Sequence, residues 1–256
     1  MLDRLASLCL AGVAPALPQD WWLQWSFAPA SLLGVAALAW WALRLDGAQR
    51  KFAWAGCLLC AVAWISPLCR LGATLAAGHM AQLMVVVLAG ALLALAHRVP
   101  ADRDGARFLG LLTLAHAMVL WGWHVPAVYT AILGNAFVHV IAWGLLLASS
   151  YGFWRAVLQS ASARPFAALL AVLATMAHTG LLGALLTLAG RACYAVQWPG
   201  ARAWGWEPLA DQQVAGLLMW VPGGGAYFAA ALALSWRMLA APRVHEGKRR
   251  ASAASG

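Results

Sequence analysis

The chain has 256 residues, of which 64% are hydrophobic and 10% charged, with a formal net charge of +9. A soluble domain carries about 25% charged residues, so this surface is not mostly wet. The apolar residues fall in blocks of about 18 to 25, the length that crosses a hydrocarbon core roughly 30 Å thick. That excludes a soluble enzyme, a nucleic-acid-binding domain and a disordered chain, and the positive charge is read as marking one side of a membrane.

In chain order, residues 1–26 come first as an interfacial or signal-like segment. Leu5 to Leu17 is apolar but too short to span, and Ala14-Pro15-Ala16 offers a small-residue cleavage site. The preferred reading is an uncleaved outer-face helix leading into Trp21, Trp22 and Trp25. Seven spans then follow at 27–44, 52–69, 74–96, 108–124, 137–154, 166–189 and 214–238, within a transmembrane domain of residues 27–239. Residues 240–256 form a basic tail. Backbone polar groups cannot face lipid unpaired, so spans of this length are helices. The expected fold is all-α, a polytopic transmembrane helix bundle.

The 17 basic residues set the orientation. Arg44, Arg50, Lys51, Arg98, Arg103, Arg107, Arg155, Arg164, Arg237, Arg243, Lys248, Arg249 and Arg250 fall on one side of the seven spans, against Arg4, Arg70, Arg191 and Arg202 on the other. Basic loops stay in the cytoplasm, so the N-terminus is expected outside and the C-terminus in the cytoplasm. The tryptophans gather near span ends, where amphipathic rings anchor in the headgroup layer.

All eight acids, Asp3, Asp20, Asp46, Asp102, Asp104, Glu207, Asp211 and Glu246, lie in expected loops or tails. An intramembrane carboxylate is the usual part of an ion-coupled transporter, and none is expected. The only lysines, Lys51 and Lys248, are cytoplasmic, which excludes a retinal Schiff base.

Histidines occupy the spans instead. His79, His124 and His139 fall at one outer depth on three helices, and His116 and His178 lie nearer the middle. Imidazole is a common metal ligand, and thioether suits Cu(I). Met80 adjoins His79, Met84 stands one turn further on the same face, and Met176 and Met219 lie in later spans. The bland alternative is interhelical hydrogen bonding by the histidines and packing by the methionines. His116 and His178, at similar depth, would also suit axial ligation of a b-type haem. Cys57 and Cys60 form a C-x-x-C inside span two and read as small apolar residues, whereas Cys9, Cys69 and Cys193 are placed toward an oxidising compartment. Pro222, followed by three glycines, predicts a kink or break in span seven.

Several stretches recur together: His79-Met80-Ala81-Gln82, Trp123-His124-Val125-Pro126, His139, and Asp211-Gln212-Gln213 leading to Met219-Trp220-Val221-Pro222-Gly223-Gly224. In this order they resemble the polytopic CtaG family of bacterial cytochrome c oxidase assembly factors, over roughly residues 70–239. The resemblance implies a non-enzymatic protein of the bacterial cytoplasmic membrane that makes copper available to a haem-copper oxidase. Its implied partners are an oxidase subunit, a periplasmic copper donor and the lipid bilayer, with no nucleic acid. His79, Met80, His124, His139, Asp211 and Met219 match family positions. The expected roles are His79, His124 and His139 as imidazole ligands, Met80 and Met84 as thioether partners, and Asp211 at the mouth. His116, His178 and Met176 are secondary candidates. Leu83, Ala142 and Trp143 stand where the family commonly carries histidine, glutamate and histidine.

Overall fold

The computed structural model describes residues 8–97 and 108–254, and among them every regular element is a helix. In chain order these are α1 (Pro29–Leu43), α2 (Gly47–Trp64), α3 (Pro67–Thr74), α4 (Ala76–Leu95), α5 (Leu109–His124), α6 (Pro126–Gly134), α7 (Ala136–Ala163), α8 (Pro165–Thr187), α9 (Trp198–Ala203), α10 (Pro208–Leu218) and α11 (Gly224–Ala254). Proline stands in the first turn of α1, α3, α6, α8 and α10, where its missing N–H costs nothing and its fixed φ suits the helix. Ser66 caps α3 by accepting from the Leu68 N–H at 3.2 Å, and Asn135 caps α7 by accepting from Phe137 and Val138.

Four apolar runs are long enough to cross a membrane: Ala76–Leu95, Ala136–Ala163, Pro165–Thr187 and Pro208–Ala240. The count rises to six if α2–α3, bent by 49°, and α5–α6, bent by 79°, each serve as one span. The seven expected segments all coincide with helices, but the first one yields only the 15 residues of α1. At 1.5 Å per residue that is about 22 Å, short of a roughly 30 Å core. Span seven does not break at Pro222. The chain inserts one π turn, Met219–Gly223, and so continues as one helical run through a residue that cannot donate.

The core is organised on α4, which packs against α2, α3, α7 and α10. Small residues permit this. A Cβ on Gly90 would lie 2.6 Å from the Ser150 hydroxyl, which itself donates to the Val87 carbonyl at 2.8 Å. Likewise a Cβ on Gly216 would lie 2.6 Å from the Gly183 carbonyl, so α8 and α10 cross nearly backbone to backbone.

Long-range contacts sort the connections onto two ends. At one end α3, α6 and the segment from Leu188 to Glu207 lie beneath a strap of residues 8–28. The strap is irregular apart from one 3₁₀ turn at Trp21–Leu23, in place of the helix expected there. It is pinned by Ala11 N–H to Leu133 O (3.0 Å), Ala16 N–H to Thr74 Oγ1 (2.9 Å), Arg70 to Ala14 O (3.0 Å) and Trp204 Nε1–H to Ala16 O (2.7 Å). A disulfide joins Cys9 to Cys69. At the other end Trp41 stacks on His97, and His97 meets the Tyr151 hydroxyl at 3.1 Å. Arg44, Arg50 and Arg164 flank the helix breaks at that end, while Arg98, Arg103 and Arg107 lie outside the described residues.

Candidate functional site

Under the strap, the first turn of α4 meets the last turn of α5 and the first of α7, and this junction brings the outer histidines together. His79 is fully buried and ringed by aromatics: Tyr129 at 4.9 Å, Trp143 at 5.6 Å and Trp123 at 5.8 Å between ring centroids. Trp123 donates its indole N–H to His79 Nε2 at 2.9 Å. His79 Nδ1 therefore carries the proton. It is enclosed without a partner at hydrogen-bond geometry, although the Gly72 carbonyl acts on the ring electrostatically.

His139 is held from both sides. Its Nδ1–H donates to the Ile132 carbonyl at 3.0 Å, and its Nε2 accepts from Trp143 Nε1–H at 3.1 Å. Trp123 and Trp143 also pack edge to face at 4.9 Å, so the two indoles link His79 to His139. His79 and His139 are thus linked through two indoles, and both of their Nε2 lone pairs face N–H donors.

His124 differs. Its Nδ1–H donates to the Leu120 carbonyl one turn back at 2.7 Å, which leaves the Nε2 lone pair facing Met80 Sδ at 3.3 Å. In the neutral tautomer that donates from Nδ1, no proton lies between these atoms, and both residues are buried. An imidazole nitrogen and a thioether in this relation form a soft donor pair of the kind Cu(I) prefers. Met84, one turn below Met80, packs against the π turn, its Sδ 2.7 Å from the point a Cβ on Gly223 would occupy. Met219 opens that turn and is 1% exposed. Among the described residues, no three His, Cys, Asp or Glu side chains converge at metal-ligand spacing, so any soft site here depends on the thioethers.

Asp211 serves the helix itself. Its Oδ2 accepts from the Ala76 N–H at 2.7 Å and its Oδ1 from the Ala77 N–H at 3.0 Å, capping α4 from a residue 135 positions away. This fixes the height of His79 and Met80, which lie within the next turn. Gln197 ties the same region by donating to the Gly72 carbonyl and accepting from the Tyr129 hydroxyl, each at 2.7 Å. In the loop before it, burial raises the Tyr194 phenol above its ordinary range, so it remains a donor, to the His124 carbonyl at 3.2 Å.

The secondary candidates sit apart. His116 meets Ser149 Oγ at 3.1 Å and the Tyr227 hydroxyl at 3.4 Å, with Phe153 stacked on its ring at 5.4 Å. His178 Nδ1 accepts from Trp121 Nε1–H at 3.3 Å. With both His116 nitrogens engaged, neither is presented to a haem iron. Met176 is half-buried and lines a groove on α8 and α11 with Gly180 and Trp220, away from the outer histidines.

Sequence reasoning singles out His79, His124, His139 and Met80 but not the groups that hold them. Trp123 adjoins His124 and Trp143 lies four residues after His139, so the W-H pair and an i, i+4 relation were the available signals. Tyr129 closes the stretch that begins Trp123-His124-Val125-Pro126, whereas nothing local marked Gln197 or Tyr194.

A family model described as cytochrome c oxidase caa3 assembly factor (Caa3_CtaG) matches residues 106–241. That covers α5 through most of the last helix, including His124, His139, Asp211 and Met219. No curated protein and no solved structure matches the chain.

Proposed function

The chain belongs to the cytochrome c oxidase caa3 assembly factor family, and from that premise we propose that it holds or relays Cu(I), as cargo, for the copper centre of a haem-copper oxidase. The observation that carries the reading is the His124 Nε2 lone pair facing Met80 Sδ at 3.3 Å, buried at the strap-covered end of the bundle. His79 and His139 complete the imidazole set once Trp123 and Trp143 swing away. Met84 and Met219 extend the thioether column inward, while His116, His178 and Met176 stay outside it.

This reading places the protein in the bacterial cytoplasmic membrane as a seven-pass chain, with α1 as a short outermost span. The strap faces the periplasm. Two independent features support that orientation. Among the described residues, Arg44, Arg50 and Arg164 flank the helix breaks at the opposite end, and the Cys9–Cys69 disulfide belongs in an oxidising compartment. A periplasmic copper donor and an oxidase subunit would then meet the protein on the strap side, and no turnover of its own is required.

The test is Cu(I) titration of the detergent-solubilised protein against a competing chelator. Replacing Met80 by Leu and His124 by Gln together should abolish the bound equivalent. Unchanged affinity in the double variant sinks the assignment.

A second reading is favoured by the hydrogen bonds from Trp123 and Trp143. With the His79 and His139 lone pairs engaged by indole N–H groups, the cluster works as a packed hydrogen-bonded core, and the protein acts as a metal-free assembly chaperone. It requires normal oxidase assembly in cells carrying the Met80/His124 double variant.

A further inference from the structure

Cys9 and Cys69 are brought together across 60 residues, the first on the strap and the second on α3, and both are buried. Cys69 also forms part of the wall of an apolar cavity of about 170 Å³ between the first turns of α1 and α7. The cavity exists because α1 packs on α2 and stands off α7. Leu8, Cys69, His139 and Trp143 all line it. One space therefore touches both Cys69 of the disulfide and His139 of the histidine cluster. The histidines and Met80 are themselves almost without solvent exposure, so an ion needs a path to them.

We propose that Cys9 and Cys69, in the reduced state, form a separate Cu(I)-accepting site that loads the cavity leading to His139. This rests on the copper reading above, and it adds a second site and a redox condition. Two thiolates are the softest ligands the chain can offer, and as a disulfide they offer none. The cycle starts when a local opening of the strap exposes the disulfide and a periplasmic dithiol protein attacks it. Its two thiols are oxidised to a disulfide while Cys9 and Cys69 become two thiols, with electrons and protons balanced. Cu(I) then displaces both thiol protons and is held between the sulfurs. Transfer inward to His139 and the His124–Met80 pair frees the thiolates to take up protons again. The same reduction cuts one of the strap's attachments, beside the part of the cavity lining that Leu8 and Cys69 form.

The experiment uses the full chain in detergent, in a background where Cys57, Cys60 and Cys193 are replaced by Ala. Cu(I) is the probe, supplied with a competing chelator to oxidised protein and to protein reduced and freed of reductant. The expected result is one additional Cu(I) equivalent in the reduced form, absent in the Cys9→Ser/Cys69→Ser variant. Equal loading of the two forms overturns the proposal, as does an additional equivalent that survives the double substitution. A wild-type measurement guards against misfolding of the variant. After reduction, the rate of N-ethylmaleimide labelling at Cys9 and Cys69 is read by mass spectrometry, and Cu(I) should slow it at least tenfold. Unchanged labelling overturns the proposal. Adding Met80→Leu/His124→Gln to the background separates the two sites. Loss of the inner equivalent with retention of the reduced-state equivalent supports both readings. An inner site that never loads, beside a reduction-dependent outer one, defeats only the relay.

Discussion

Trp143 donates its indole N–H to Nε2 of His139 across 3.1 Å, within one turn of α7. The pairing matters because it engages the His139 lone pair, and the same indole forms one wall around His79 at 5.6 Å. The proposed copper reading therefore requires the indoles to move.

Replacing Trp143 by His should free the His139 lone pair and supply a further imidazole. The expected outcome is a gain in Cu(I) affinity of about tenfold or more, the scale on which groups hydrogen-bonded to ligands act. Chelator competition measures it. No gain would favour the metal-free chaperone.

Met80→Leu conserves volume at a fully buried position, so unfolding should shift by less than about 1.5 kcal/mol. The thioether is lost, and Cu(I) affinity should fall while thermal stability holds. A fall in both together would make Met80 a packing residue.

Asp211→Asn removes the charge and one acceptor from the start of α4. A cost of about 1–3 kcal/mol follows from leaving a buried N–H unpaired, with a further loss of the favourable charge at a helix N-terminus. Thermal unfolding should fall accordingly. Cu(I) affinity should change little at the remaining wild-type ligands if Asp211 acts as a cap, and a large affinity loss without destabilisation would make it a ligand.

Cys9→Ser opens a cross-link that spans 60 residues, and loop-entropy reasoning puts the loss at about 2–4 kcal/mol. The variant should melt earlier than wild type under non-reducing conditions, and the two should converge in reductant.

Two glycines offer a contrast in packing. Gly216→Ala would push its Cβ to 2.6 Å from the Gly183 carbonyl and should force α8 and α10 apart, with a loss of roughly 1–3 kcal/mol. Gly144→Ala meets nothing within 4 Å and should stabilise α7 by about 0.5–1 kcal/mol. Melting curves of the two variants should therefore move in opposite directions.

Much of this molecule is legible locally. Membrane class, helix positions and the proline-marked breaks follow from runs of apolar residues and from φ restrictions, each readable within a window of twenty residues. The W-H-x-P and D-Q-Q motifs single out His124 and Asp211, but the carboxylate expected at the mouth of a site instead caps α4. The length of the first span was misjudged, because Pro29 starts α1 late and its capping residues consume the expected ends. The strap was misread because its conformation is set by partners far away, Leu133, Thr74 and Trp204, and not by its own periodicity.

By itself, the sequence determined that this is a helical membrane protein with histidines and methionines inside its apolar runs, since hydrophobic length and residue type are local properties. Tertiary structure alone decided what those donors do. Whether a lone pair of His79, His124 or His139 meets an indole N–H or a thioether depends on which helices cross and at what height. That height is set by Asp211 gripping the start of α4 from another helix, a long-range bond that no local pattern encodes.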